Sequence, residues 1–198
     1  MILNKLFNKM EEHLFSNNTT VESLPSERLG CNADEMKFLR ELDHNDLSIV
    51  IPQILLDILT ENEEKSISCK NDVFYSKKIP SMNVQDYLRR IIKYSKLETT
   101  TLILSIIYID RICERENYVL NLYNIHRFLL AAVLVAIKYN EDDFYRNTQY
   151  AKIGGIDLKE LNSLEDEFCR LLNFCLFVSN TEFTKYKENL AKLYEADS

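Results

Sequence analysis

The chain has 198 residues, 46% hydrophobic and 28% charged, with only 3 Gly and 3 Pro. That length and apolar content support one domain with a sizeable core. The scarcity of Gly and Pro excludes a loop-rich β architecture. A formal net charge of -7 argues against non-specific binding to nucleic acid or to an anionic membrane.

The chain opens with Ile2, Leu3, Leu6, Phe7, Met10, Leu14 and Phe15 at helical spacing. Asn, Lys and Glu interrupt them, so this is an amphipathic helix and not a secretory signal. The protein is accordingly expected in the cytoplasm, the nucleus or both. Polar sequence without sustained periodicity follows to Leu47. Residues 1–47 therefore read as an N-terminal extension, partly disordered with a short helix, ahead of a helical domain over 48–198.

From Ser48 to about Asn62, Val50, Ile51, Ile54, Leu55, Ile58 and Leu59 form a helical stripe, with Pro52 placed in its first turn. After a charged loop through Lys65, Val84, Tyr87, Leu88, Ile91 and Ile92 mark an amphipathic helix opened by Ser81 or Asn83. The next two helices, Thr101–Ile112 and Phe128–Ile137, are apolar nearly all round. Each is too short to span a membrane, so both belong at the centre of the domain. A short helix over Thr148–Ile153 ends at Gly154-Gly155, because glycine accepts the left-handed conformation that closes a helix. Asp157 and Glu160 then resemble a capping box. The helix they open carries Leu161, Leu164, Phe168, Leu171 and Leu172, and a last helix runs over Thr181–Tyr194. The fold class is all-α, with five core helices flanked by one before and one after.

The sequence carries no recognisable constellation of catalytic or metal-ligating residues. Cys31, Cys69, Cys113, Cys169 and Cys175 form no C-x-x-C pair, and His13, His44 and His126 are scattered, so no zinc ligand set is expected. The cysteines read as reduced, small apolar residues. No nucleophile elbow, phosphate loop or H-E-x-x-H is present. Glu141-Asp142-Asp143 reads as a solvated helix end, and His126 as a structural imidazole. Neither an enzyme nor a cofactor is expected.

Five segments read together as a family: YLRRIIKYSKL, LSIIYIDRI, HRFLLAAVLVAIKY, NTQYAKIGGI and ELNSLEDEFCRLLNFCLFV. In this order they resemble the cyclin box, most closely that of the P- and U-type cyclins known from phosphate and nutrient signalling. The resemblance covers about residues 79–178. It implies a single five-helix box that binds and activates a cyclin-dependent serine/threonine protein kinase, with no nucleic-acid or membrane partner.

By motif position, Lys138 at the end of box helix three and Glu165 in box helix five would grip the C-helix of the kinase. Tyr139, Val135, Cys169, Phe174 and Leu176 fall where the resemblance implies an apolar groove. Plain core packing is the competing reading of these residues, and a helix-dipole role competes for Lys138. Gly154 and Gly155 are structural. The resemblance also implies a partner for Asp110 on box helix two. The arginine that other cyclins supply near the start of box helix one is missing here, so Arg127 is expected to pair with Asp110 instead. The methionine–arginine–tryptophan docking patch of some cyclins is missing too. The alternative function is that of a cyclin-fold adaptor or scaffold, which binds a partner without activating a kinase.

Overall fold

The computed structural model describes residues 41–62 and 72–196. The helix expected over residues 2–15 and most of the extension lie outside them, as does part of the charged loop. The described residues form seven helices and no strand: α1 (His44–Glu61), α2 (Val84–Ser95), α3 (Thr99–Arg115), α4 (Ile125–Asn140), α5 (Asn147–Gly154), α6 (Leu158–Leu171) and α7 (Asn180–Ala196).

α3 and α4 are the central pair. Leu102, Ile107, Tyr108, Ile112, Phe128, Leu129, Ala131, Ala132 and Ala136 are fully buried. A buried side chain of Leu or Phe size contributes roughly 1.5–3 kcal/mol relative to exposure. Two such helices can therefore hold the amphipathic ones around them. α1 packs on α2 and α7, α6 packs on α4, and α5 joins α2 to α6. An aromatic cluster closes one end of the core. Phe128 lies 4.9 Å from Phe74, 5.1 Å from Phe168 and 4.6 Å from Tyr118, centroid to centroid. Edge-on and offset contacts of this kind stabilise beyond the area they bury.

The helix ends follow their local chemistry, with three departures from expectation. α1 begins at His44, not Ser48. Asp43 accepts from the backbone N–H groups of Asn45 and Asp46, and Asp46 Oδ2 accepts from Asp43 N at 3.0 Å, which is a capping box. Pro52 consequently sits inside the helix, buried in the core, instead of in its first turn. The third departure is Glu141, expected to be solvated. Its Oε1 accepts from Glu98 N at 2.9 Å and from the Thr101 hydroxyl, so it serves the N-terminus of α3, where Glu98 makes no side-chain cap.

Elsewhere Asn83 caps α2, accepting from Asp86 N at 2.7 Å. Asp157 caps α6 through Glu160 N at 2.7 Å. The reciprocal half of that box is missing because the Glu160 side chain is engaged by Arg127. Gly155 ends α5 at φ 71°, in the left-handed region. At Gly154 a Cβ would collide with Leu130 of α4, so this glycine sets how closely α5 approaches the centre.

Candidate docking surface between α4 and α6

Lys138 stands in the last turn of α4 and Glu165 midway along α6. Their side chains meet, with Nζ 2.5 Å from Oε1. Glu165 Oε2 accepts from Asn147 Nδ2 at 2.7 Å, which ties the first residue of α5 to the pair. Both charges remain partly exposed, 30% for Lys138 and 20% for Glu165. They are thus held in place by each other and still reachable from solvent.

The expected groove residues divide into three groups. Tyr139 is 48% exposed and Phe174 is 68% exposed, unusual values for large aromatics. Cys169 and Leu176 are half-buried and pack against the core. Val135 is buried, one helical turn before Tyr139, so it forms part of the core beneath the surface and offers a partner almost nothing. Burial pushes the Cys169 thiol up in pKa. Glu165 and Asp166 add to that shift and Lys138 opposes it, so at neutral pH it is a neutral, weakly nucleophilic group.

The segment between α6 and α7 presents Phe174. Asn173 and Phe174 adopt left-handed backbone, with φ 50° and 55°, which a bulky residue rarely does without outside support. The support comes from α3. Tyr108 Oη donates to Leu176 O at 2.8 Å. Arg111 donates to the carbonyls of Cys175 and Phe177, both at 3.0 Å, and Arg115 to that of Leu172 at 3.2 Å. Arg111 also makes a two-pronged pair with Glu182 of α7, at 3.2 and 2.7 Å. Phe177, 74% exposed, extends the apolar surface. Phe177 and Arg111 were not singled out in the sequence. The visible signal was the run N-F-C-L-F-V after a helix, too apolar for an ordinary surface loop.

The Asp110–Arg127 pairing is not present. Arg127 Nε lies 2.5 Å from Glu160 Oε1, at the N-terminal turn of α6. Asp110, 2% exposed, accepts from the Tyr186 hydroxyl of α7. The reason is directional. Asp110 lies on the side of α3 that α1 and α7 cover, beside Ile51, Ile54 and Ile58, whereas Arg127 faces α6. Burial, and then Asp110, push the Tyr186 hydroxyl well above its ordinary pKa, so it stays protonated and donates. His126 is buried between α4 and α2. Its Nε2–H donates to Met82 O at 2.8 Å, and its ring lies 4.8 Å from that of Tyr87. Desolvation lowers its pKa, so it is neutral at pH 7.

Among the described residues no group of three or more His, Cys, Asp or Glu could hold a metal ion, and no helix is long and apolar enough to cross a membrane. The surface can do one thing chemically. It offers a cation, a carboxylate and aromatic side chains to an apolar segment with free backbone groups.

The family model described as Cyclin matches residues 17–176. The chain belongs to the cyclin family. The matched residues take in α1–α6. Cyclin-U2-1 of Arabidopsis thaliana is 37% identical over 142 residues, covering 69% of this chain and 64% of that protein. PHO85 cyclin-like protein psl1 of Schizosaccharomyces pombe is 40% identical over 124 residues, 62% of this chain and 51% of its own. PHO85 cyclin-7 of Saccharomyces cerevisiae is 34% identical over 175 residues, 76% of this chain and 61% of its own. This cyclin is therefore of the P/U type, and it spans about half to two thirds of the length of these relatives.

Proposed function

We propose that this cyclin is the regulatory subunit of a cyclin-dependent serine/threonine protein kinase, with no catalysis of its own. It would act in the cytoplasm, the nucleus or both, with neither nucleic acid nor membrane as a partner. The observation that carries the reading is the Lys138–Glu165 pair flanked by exposed Tyr139 and Phe174. A kinase helix laid against this surface buries the aromatics, which is helix-in-groove recognition. The ammonium donates to exposed backbone carbonyls of the kinase, and the carboxylate accepts from exposed backbone N–H groups beside them.

The kinase lysine–glutamate pair that holds ATP forms only when its C-helix is in place. Binding energy released here thus moves the kinase population from inactive to active. In the free protein the two charges satisfy each other, so docking must exchange that contact for two new ones. Truncating either residue leaves the kinase groups it would engage unpaired, at about 2–5 kcal/mol of affinity where they are desolvated.

The experiment is co-purification with each cyclin-dependent kinase of the same cell, followed by a kinase assay. A complex that phosphorylates substrate supports the reading. A stable complex with no rise in activity replaces activation by scaffolding, and no complex with any kinase removes the reading altogether.

A further inference from the structure

α2 carries its basic residues on a stripe. Arg89, Arg90, Lys93 and the C-cap Lys96 follow one another at helical spacing. α5 packs against α2 and adds Lys152, with no acidic residue of its own. Asp86 is the sole carboxylate of α2, and it lies 3.8 Å from Arg89. Among the described residues, Arg90, Lys93, Lys96 and Lys152 have no carboxylate within ion-pair distance. The whole sequence holds 31 acidic against 24 basic residues, so this grouping runs against the bulk balance.

The stripe borders a cleft of about 390 Å³ lined by Arg90, Tyr94, Gln149, Lys152 and Ile153. Arg90 Nη2 donates to Lys152 O at 3.1 Å, which offsets the negative end of α5. Tyr94 is 52% exposed, with Lys93 Nζ 5.4 Å from its ring centroid. The cleft thus combines cations, an amide and an apolar wall.

We propose that this cleft binds a short acidic peptide segment with at least one apolar side chain. Its carboxylates would face Arg90, Lys93 and Lys152, its apolar group would lie on the exposed Tyr94 ring, and Gln149 would bond its backbone. A peptide fits better than the other polyanions. A membrane surface favours a flat or convex basic face, and a nucleic acid long enough to bind tightly would run onto the acidic remainder of the protein. The cleft is formed by α2 and α5, so the inference stands apart from the kinase reading.

The test is fluorescence anisotropy of the full chain with a labelled peptide of repeated Glu-Glu-Leu, at about 50 mM and about 200 mM salt. Saturable binding that weakens with salt is expected. The double variant Lys93→Glu/Lys152→Glu should weaken it roughly tenfold, because two attractive contacts become repulsive. The variant Lys159→Glu/Lys185→Glu makes the same change in net charge elsewhere and should weaken it less than about twofold. All four lysines are exposed, so folding does not confound the comparison, and Tyr94→Ala checks the apolar wall by a separate loss. No saturable binding at low salt overturns the proposal, as does a difference between the two doubles below about threefold. Tighter binding of single-stranded RNA or of phosphatidylserine vesicles than of the peptide also overturns it.

Discussion

Two faces of this molecule treat their cations in opposite ways. On the side built by α3, α4, α6 and α7, three interhelical cations have a glutamate, Arg111 with Glu182, Arg127 with Glu160 and Lys138 with Glu165, while Arg115 reaches the Leu172 carbonyl. On the side built by α2 and α5, Arg90, Lys93, Lys96 and Lys152 have none among the described residues. The paired charges are partly buried and bridge different helices, so they set geometry. The unpaired ones belong to a single stripe and a neighbouring helix end, where a charge contributes little to stability. Position in the fold, not residue type, separates a cation that builds the protein from one left available to a ligand.

That contrast can be broken by substitution. Arg111→Leu should have the largest effect, because it removes the Glu182 pair and two carbonyl contacts together. A loss of about 2–3 kcal/mol in chemical denaturation is expected, and faster proteolysis of the α6–α7 segment should accompany it. Arg127→Leu should cost about 1 kcal/mol, since one partly exposed pair is lost, and Glu160→Gln should show the same loss without adding to it in the double variant. Additive losses would mean that the pair is not energetically coupled.

His126 sharpens the contrast from the uncharged side, being buried between α2 and α4. Its pKa is depressed in the folded state, chiefly by desolvation. Its contribution is therefore complete above the unfolded pKa of about 6.5 and is lost as the pH falls through the lower folded value. The melting temperature should drop between about pH 7.5 and about pH 5.5, and His126→Gln should flatten that slope. Lys93→Ala should have the smallest effect, within about 0.5 kcal/mol of wild type. A larger loss would show that the α2 stripe is part of the scaffold after all.

Much of this was legible in the sequence, and the parts that were not share a cause. The apolar runs of α3 and α4, the amphipathic pattern of α2 and α6, the Asn83 and Asp157 caps and the closing Gly155 are local. Each follows from a few neighbouring residues. The helix-start signal at Asp43 and Asp46 was local too, but it lay in a stretch that lacks apolar periodicity. Partner choice across the fold is a different matter. Arg127 had a plausible acid in Asp110 and an actual one in Glu160, and only the direction in which α3 and α4 face distinguishes them. Glu141 reaches an α3 terminus some forty residues earlier in the chain. The left-handed backbone at Phe174 depends on carbonyl contacts from Arg111 and Arg115, which no local pattern encodes.

The central claim is that Lys138 and Glu165 hold one another in the free protein and recognise a kinase helix in the complex. It is tested most directly by the double swap Lys138→Glu/Glu165→Lys. The swap keeps an attractive pair at the same place and gives up only the Asn147 bond to Glu165, so thermal stability should stay within about 1 kcal/mol of wild type. It reverses the polarity shown to the partner, so kinase binding should fall at least roughly a hundredfold. Unchanged binding by a folded double variant would contradict the account and remove the α4–α6 surface as the docking site.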